Sequence, residues 1–393
     1  MFKNNRNLVV VAVIALVNAL GYGIVIPILY SYSIKYGLSD FQNGLLFSIF
    51  SVCQFISTPI IGRLSDKYGR KPLLTISIIG TALSFIMMAF APSAIFLFLA
   101  RALDGLTAGN IPVASAVIAD TTEPKDRAKG FGIIGASFGF GFAVGPAISA
   151  LFVGISLATP FLIAAAITVI AVFLTMTLLK ETNAHMGEVP KGKLFDFGKM
   201  LKMLVDPAVG VTLSITLIYS FAFGLIIFGF QPYAVKLLGL NARTVSEIFT
   251  LFGFMGLVSQ MFILPRVSKM LGDRRALEFA LMVLGAAFVA MFLNRNFVVF
   301  VVISTILGVF NFFVNPLVQT ILSKETDAKS QGSIMGLNFS YMSVGLIFGP
   351  IIGGALATLS LASPFLAAAA FALAALLLSF AIARRVTVKE SAF

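Results

Sequence analysis

Along the chain, stretches of about twenty apolar residues alternate with short polar or charged breaks, a spacing close to what a helix needs to cross a hydrocarbon layer of about 30 Å. Twelve runs can be drawn, at 8–30, 42–61, 73–91, 95–119, 130–152, 158–179, 208–232, 244–264, 276–293, 297–321, 332–356 and 361–383. A membrane β-barrel would show shorter segments that alternate apolar and polar residues. The runs here are continuous, so the pattern predicts an all-α polytopic membrane protein with twelve transmembrane helices. Breaks such as "LSD", "APS" and "NRN" are short, which makes consecutive spans antiparallel neighbours.

One break is long. Residues 180–207, "KETNAHMGEVPKGKLFDFGKMLKMLVDP", are polar and separate the sixth run from the seventh. The expected organisation is an N-terminal six-helix bundle at 1–182, a cytoplasmic linker at 183–207 and a C-terminal six-helix bundle at 208–393. Basic and apolar residues alternate at helical spacing from Lys193 to Val205, which predicts a short amphipathic helix on the cytoplasmic face. His185, the only histidine, lies alone in this linker, a poor basis for a metal site.

Composition agrees with a membrane setting. Of 393 residues 59% are hydrophobic and 11% charged, against about 25% charged in soluble domains; the mean hydropathy is +1.01. The net charge of +12 is unevenly placed. Outside the spans, the side that holds both termini carries nearly all the Lys and Arg, and the other side has only Lys35, Lys236, Arg243 and Arg295. This bias places both termini in the cytoplasm, and the expected location is the cell inner membrane. A nucleic-acid partner is not expected, because the basic residues are spread over separate loops instead of forming one patch. Lys3 and Arg6 precede an apolar run that is span-length, contains Pro27 and lacks an A-x-A site, so a retained helix is expected, not a cleaved signal. Cys53 is the single cysteine and excludes an internal disulfide. "GFGFAVG" from Gly139 lacks the spacing and preceding strand of a dinucleotide site, leaving helix packing as its role.

The two halves are copies. Pro112, Gly132, Gly141, Gly145, Pro146, Pro160 and Phe161 recur 204 positions later as Pro316, Gly336, Gly345, Gly349, Pro350, Pro364 and Phe365. Duplicated helical membrane proteins of this kind are typically transporters, with a substrate site between the repeats and alternating access by rocking. A channel would need a filter segment or rings of charge, and an intramembrane enzyme a nucleophile with its base or a set of metal ligands. Neither arrangement is found, so the chain is not expected to be an enzyme or to hold a cofactor.

Within the fourth run, "RALDGLTAG" places Arg101 and Asp104 three residues apart on one helical face. Each charge costs about 2.5–3.5 kcal/mol at a helix centre on insertion scales, so such residues pair or face a cavity. A structural ion pair is one reading. The other is a carboxyl tuned by an arginine and nearby water to bind and release a proton.

"GRLSDKYGRKPLL" (62–74) resembles the signature loop between the second and third helices of the major facilitator superfamily. "RALDGLTAG" resembles its fourth-helix arginine motif, and "GASFGFGFAVGP" (135–146) its fifth-helix antiporter motif. "NALGYGIVIPIL" (18–29) and "VIADTTEPKDRAKGFGIIGASFG" are most similar to the tetracycline/proton branch of the drug/proton antiporters. The resemblance implies the major facilitator fold, a functional monomer and a proton-coupled antiporter of an amphipathic small molecule. Asp104 would carry the proton, Arg101 would couple its charge to substrate, and Glu247 is a second candidate, with a helix-start surface charge as its competing explanation. Asp66, Arg70 and Asp120 would form a charge latch, with Gly62 and Gly69 permitting a tight turn. The related loop "PRVSKMLGDRRAL" puts Lys269 opposite Asp66, so one latch only is expected. Asn18 stands where the tetracycline antiporters usually have an aspartate, and Tyr30 where a proline is frequent.

Gly135 with Gly139, and Gly141 with Gly145, are four apart and predict a smooth helix face ending at a bend at Pro146. Gly345, Gly349 and Gly353 repeat it, and both faces are expected at the interface between the halves. Asn18, Gln54, Asn110, Tyr219, Asn311, Asn315 and Asn338 are uncharged polar residues within spans. They are candidates for a central substrate cavity, with bonding to neighbouring helices as the alternative. Few fixed charges favour a lipophilic drug over a sugar phosphate. A metabolite such as a sugar, amino-acid derivative or siderophore, a lipid flippase and a non-transporting sensor are the alternatives.

Overall fold

The structure, a computed structural model, describes residues 5–123, 127–183, 187, 195–327 and 330–390. Among them twelve helical spans are long and apolar enough to cross a membrane, and no strand is present. The first six spans are α1 (Asn5–Ser33), α2 (Asp40–Tyr68), α3 (Arg70–Ala89), the pair α4 (Ala94–Thr107) and α5 (Asn110–Thr121), α6 (Arg127–Phe152) and α7 (Thr159–Leu178). A short helix, α8 (Phe197–Leu204), precedes α9 (Gly210–Pro232). The remainder are α10 (Ala242–Val258), α11 (Leu264–Leu271), α12 (Asp273–Leu293), α13 (Phe297–Glu325), α14 (Gln331–Leu359) and α15 (Ser363–Glu390). Large apolar side chains such as Leu151, Phe173, Leu293 and Leu377 stand exposed on these helices, the surface expected of a chain whose outer solvent is lipid.

The chain divides into two compact units, Met1–Ser39 with Ile49–Leu194 and Asn241–Thr250, and Asp40–Ser48 with Phe195–Leu240 and Leu251–Phe393. Inside the first, α1 packs on α6 and α7, and α3 on α4, α5 and α7. Inside the second, α9 packs on α14 and α15, and α12 on α13 and α15. The two lists are the same list shifted by one repeat, the packing counterpart of the sequence duplication.

Close packing rests on glycine. A Cβ on Gly141 would lie 2.8 Å from the Leu16 carbonyl of α1, and one on Gly145 2.8 Å from that of Leu20. Gly345 and Gly349 let α14 approach Ser220 and Gly224 of α9 in the same way. Two expectations are corrected here. These faces pack α6 on α1 and α14 on α9 within each unit, so the contact they explain is not one between halves. Gly135 takes no part, since a Cβ there would meet nothing within 4 Å. Pro146 and Pro350 sit inside their helices.

The fourth span differs from its counterpart. Its run breaks at Ala108 and Gly109 into α4 and α5, whereas α13 is continuous over 29 residues although it contains Pro316, the equivalent of Pro112. Proline alone removes one backbone donor in both. At Gly109 α2 also presses in, where a Cβ would lie 2.8 Å from the Ile61 side chain and 3.1 Å from Thr58 Cα. The eighth span is also interrupted, by a π-helical turn at Ser259–Ile263 between α10 and α11, and a second π turn, Tyr233–Leu237, extends α9.

Within the stretch expected to form an amphipathic helix, Phe197–Leu204 is helical as α8. Lys193 and His185 lie outside the described residues.

Candidate functional site

Arg101 and Asp104 are the charged pair set deepest in the first unit. They are 1% and 6% exposed, and an Arg101 Nη1 to Asp104 Oδ2 ion pair of 3.1 Å joins them along α4. The guanidinium carbon lies 4.4 Å from the centroid of the Phe50 ring of α2, a cation–π contact strengthened by burial. Tyr22 of α1 stands beside Phe50, its ring 6.1 Å away, and 5.4 Å from that of Phe142 of α6. Gly105 makes room for α2, since a Cβ there would fall 2.3 Å from the Phe50 carbonyl. Arg101 Nε is buried with no hydrogen-bond partner. The pair therefore carries an unmet donor, and removing either charge would strand the other in a dry surrounding.

The α4–α5 break follows Asp104 by one turn, where the Ala108 amide still donates to the Asp104 carbonyl at 2.8 Å. Just beyond it, Asn110 and Asn18 exchange amide hydrogen bonds, Asn18 Nδ2 to Asn110 Oδ1 at 3.0 Å and Asn110 Nδ2 to Asn18 Oδ1 at 3.3 Å. In the second unit the Tyr219 hydroxyl donates to Asn311 Oδ1. Both links span 92 residues and tie the first span of a six-span repeat to its fourth. The other candidates join neither link. Thr216 donates to Asn338 Oδ1 at 2.7 Å and leaves Asn338 Nδ2 buried without a partner. Gln319 donates to Asn315 Oδ1 at 3.2 Å one turn along α13, and Gln54 is half-buried on α2, with Thr58 donating to its carbonyl. Six of the seven thus bond another side chain, Gln54 being the exception.

At the α2–α3 turn, Arg70 donates to Asp66 Oδ1 at 2.5 Å, to Ser65 Oγ at 2.7 Å and to Asp120 Oδ2 at 3.3 Å. The three residues of the expected charge latch are thus together. Gly69 makes the turn with φ +101°, while Gly62 lies inside α2 and its carbonyl accepts from Ser65. The expectation that Gly62 helps form the turn is corrected. Glu181 completes the cluster and escaped the sequence reading. Its carboxylate accepts from the amides of Arg70 and Lys71, at 2.9 and 3.1 Å, so it caps the start of α3. Burial pushes its carboxyl up, but amide hydrogen bonds from Asn183, Arg70, Lys71 and Thr182 outweigh this and hold it below its ordinary value. An acidic residue directly after a span end was the available signal.

A second charged cluster stands at the corresponding turn of the second unit. Gly272 turns with φ +79°, Ser268 donates to Asp273, and Lys324 pairs with Asp273 at 2.6 Å. Glu247 is exposed on α10 and pairs with Arg243 at 3.0 Å, the arrangement of a surface charge near a helix start. Among the described residues no group of three or more His, Cys, Asp or Glu is gathered as metal ligands.

The chain matches the family model described as Major Facilitator Superfamily over residues 11–341 and 212–392. It is 30% identical over 373 residues to the tetracycline resistance protein, class B, of Escherichia coli, covering 88% of each chain. To multidrug resistance protein 2 of Bacillus subtilis it is 28% identical over 359 residues, again covering 88% of each. Its fold is similar to a bacterial homolog of the human lysosomal transporter Spinster in an inward-facing, unoccupied conformation, with TM-score 0.79 at 16% identity, covering 98% of each chain. It is also similar to the human organic anion transporter MFSD10 (TETRAN), with TM-score 0.74 at 20% identity, covering 96% of this chain and 100% of that one.

Proposed function

The chain belongs to the major facilitator superfamily of multi-pass membrane transporters, and from that premise we propose that it is a proton-coupled antiporter exporting lipophilic or amphipathic drugs by alternating access. The observation that carries the proposal is the buried Arg101–Asp104 pair beside the α4–α5 break, in a chain whose relatives include tetracycline and multidrug resistance proteins. Discontinuous helices recur where transporters bind ions and substrates.

Asp104 is the proton carrier in this scheme. Protonation neutralises it, weakens its hold on Arg101 and frees the guanidinium for a different arrangement; loss of the proton restores the pair. A charge change of this kind shifts a conformational equilibrium if the two states hold the pair differently. The bundles that rock are 1–182 and 208–393, joined by 183–207, in a monomer with both termini in the cytoplasm of an inner membrane. Asp66, Arg70 and Asp120 act as the latch of one state. In this reading the Asn18–Asn110 pair and the Tyr219–Asn311 pair, each within its own unit, supply uncharged polar groups that suit an amphipathic compound.

The test is proton movement driven by a panel of lipophilic compounds, a tetracycline among them, in proteoliposomes carrying wild type or Asp104→Asn. Compound-dependent flux lost in the variant is the expected result. Flux that survives moves the proton to another carboxylate, Glu247 first, and overturns the role of Asp104. No flux with any compound overturns drug antiport and turns attention to a metabolite or a lipid.

A further inference from the structure

The short helix α8 divides into three faces at about 100° per residue. Met200, Met203 and Leu204 are half-buried against the protein. Phe197 and Leu201 fall on the neighbouring arc, with Val205 following at the C-cap, and the three are 61%, 70% and 81% exposed. Lys199 and Lys202 complete the circle, both exposed. Three large apolar residues in a row on a solvent-facing helix are not a stable surface in water.

The helix is fixed in place. Asp196 caps it by accepting from the Lys199 amide at 2.9 Å, the Tyr341 hydroxyl of α14 donates to the Met200 carbonyl at 2.5 Å, and Lys199 Nζ donates to Ser333 at 2.8 Å. Its C-terminal end touches the start of a membrane span, because a Cβ on Gly210, the first residue of α9, would lie 2.5 Å from the Leu204 carbonyl. A helix held against the mouth of a span, with an apolar arc next to a basic one, lies where hydrocarbon gives way to headgroups. Lys202 makes no ion pair among the described residues.

We propose that α8 is a membrane-surface anchor, with Phe197, Leu201 and Val205 seated at the edge of the hydrocarbon layer and Lys202 and Lys199 on the headgroups of anionic lipids. Two basic side chains at a surface of negative potential favour anionic over zwitterionic lipid. Through Tyr341 and Ser333 the anchor holds α14 to the same surface. The proposal rests on the membrane setting and not on the drug-export reading.

The chain contains no tryptophan, so Phe197→Trp, or Leu201→Trp should the first fail to fold, introduces a single interfacial probe. The full-length variant is placed in bilayer discs of phosphatidylcholine alone or with one-third phosphatidylglycerol, each with brominated acyl chains as quencher. The expected result is blue-shifted, strongly quenched emission, at least twofold more quenched in the anionic discs than in the neutral ones. Adding Lys202→Glu should return the anionic value to the neutral one. Unquenched, water-like emission in both discs would overturn the anchor. Equal quenching in both discs, or no response to Lys202→Glu, would overturn the choice of anionic headgroups.

Discussion

In the first unit Ser65, Arg70 and Asp120 gather at the turn before α3; in the second, Ser268, Asp273 and Lys324 gather at the turn before α12. The positions correspond through the duplication, and so do the turns, each made by a glycine at positive φ. The charges are exchanged: the residue opening the helix is cationic in one unit and anionic in the other. At these ends the repeat has kept a geometry and let the sign go. The middle of the fourth span behaves otherwise. α4 buries Arg101 and Asp104, while residues 304–308 of α13 read Ser-Thr-Ile-Leu-Gly and carry no charge. Yet α13 packs on α12 as α4 packs on α3, and Gly308 lets Phe252 approach as Gly105 does Phe50. One unit forms this packing with no ion pair at this place, so the packing of a fourth span on its neighbour does not by itself call for one.

That comparison can be broken by single changes. Arg101→Leu leaves Asp104 buried and alone, and should lower stability by about 3–5 kcal/mol at neutral pH, read as a fall in melting temperature in detergent. A glycine-face change should come next. Gly141→Ala and Gly345→Ala each force a Cβ to within 2.6 Å of a neighbouring atom and should cost about 1–3 kcal/mol. Gly135→Ala meets nothing and should stay within about 0.5 kcal/mol. An equal cost at all three would contradict the assignment of close contact to Gly141 and Gly345.

Smaller effects probe the exchanged clusters. Asp273→Arg should cost about 0.5–1 kcal/mol by setting two cations together, and adding Lys324→Asp should recover most of it. The matching exchange at Arg70 and Asp120 should recover less, because Asp66 and Glu181 already crowd that turn with carboxylates. Smallest is the acid response of Glu181. Its carboxyl is held low in the fold, so its contribution is complete above the ordinary glutamate value of about 4.3 and fades as pH falls through the lower folded value. Melting curves of wild type and Glu181→Gln should differ at pH 7 and converge as pH falls through the lowered folded value; a gap that stays constant would remove Glu181 from its capping role.

The twelve spans were legible because each run is long and apolar, and the repeat because proline and glycine positions recur at one spacing. The same spacing also carried the second charge cluster, since Arg70 maps near Asp273 and Asp120 onto Lys324. The loop reading missed it by aligning on Asp66 alone. What could not be read depends on neighbours distant in sequence. The α4–α5 break needs Ile61 and Thr58 against Gly109, and Pro112 by itself resembles Pro316 in an unbroken helix. Glu181 caps a helix start more than a hundred residues earlier. The pairings of Asn18, Asn311 and Asn338 were likewise open, because an amide in a span serves a neighbour and a substrate equally well.

The central claim is that the Arg101–Asp104 pair serves transport and not folding. It is tested most directly by replacing both residues with apolar ones, Arg101→Met with Asp104→Leu, and measuring melting temperature and compound-driven proton flux on the same preparation. A buried pair exchanged for apolar residues of similar volume is commonly neutral or more stable, so the account predicts a melting temperature at or above wild type and no flux. A double variant that unfolds, or one that still couples compound to proton movement, would contradict it.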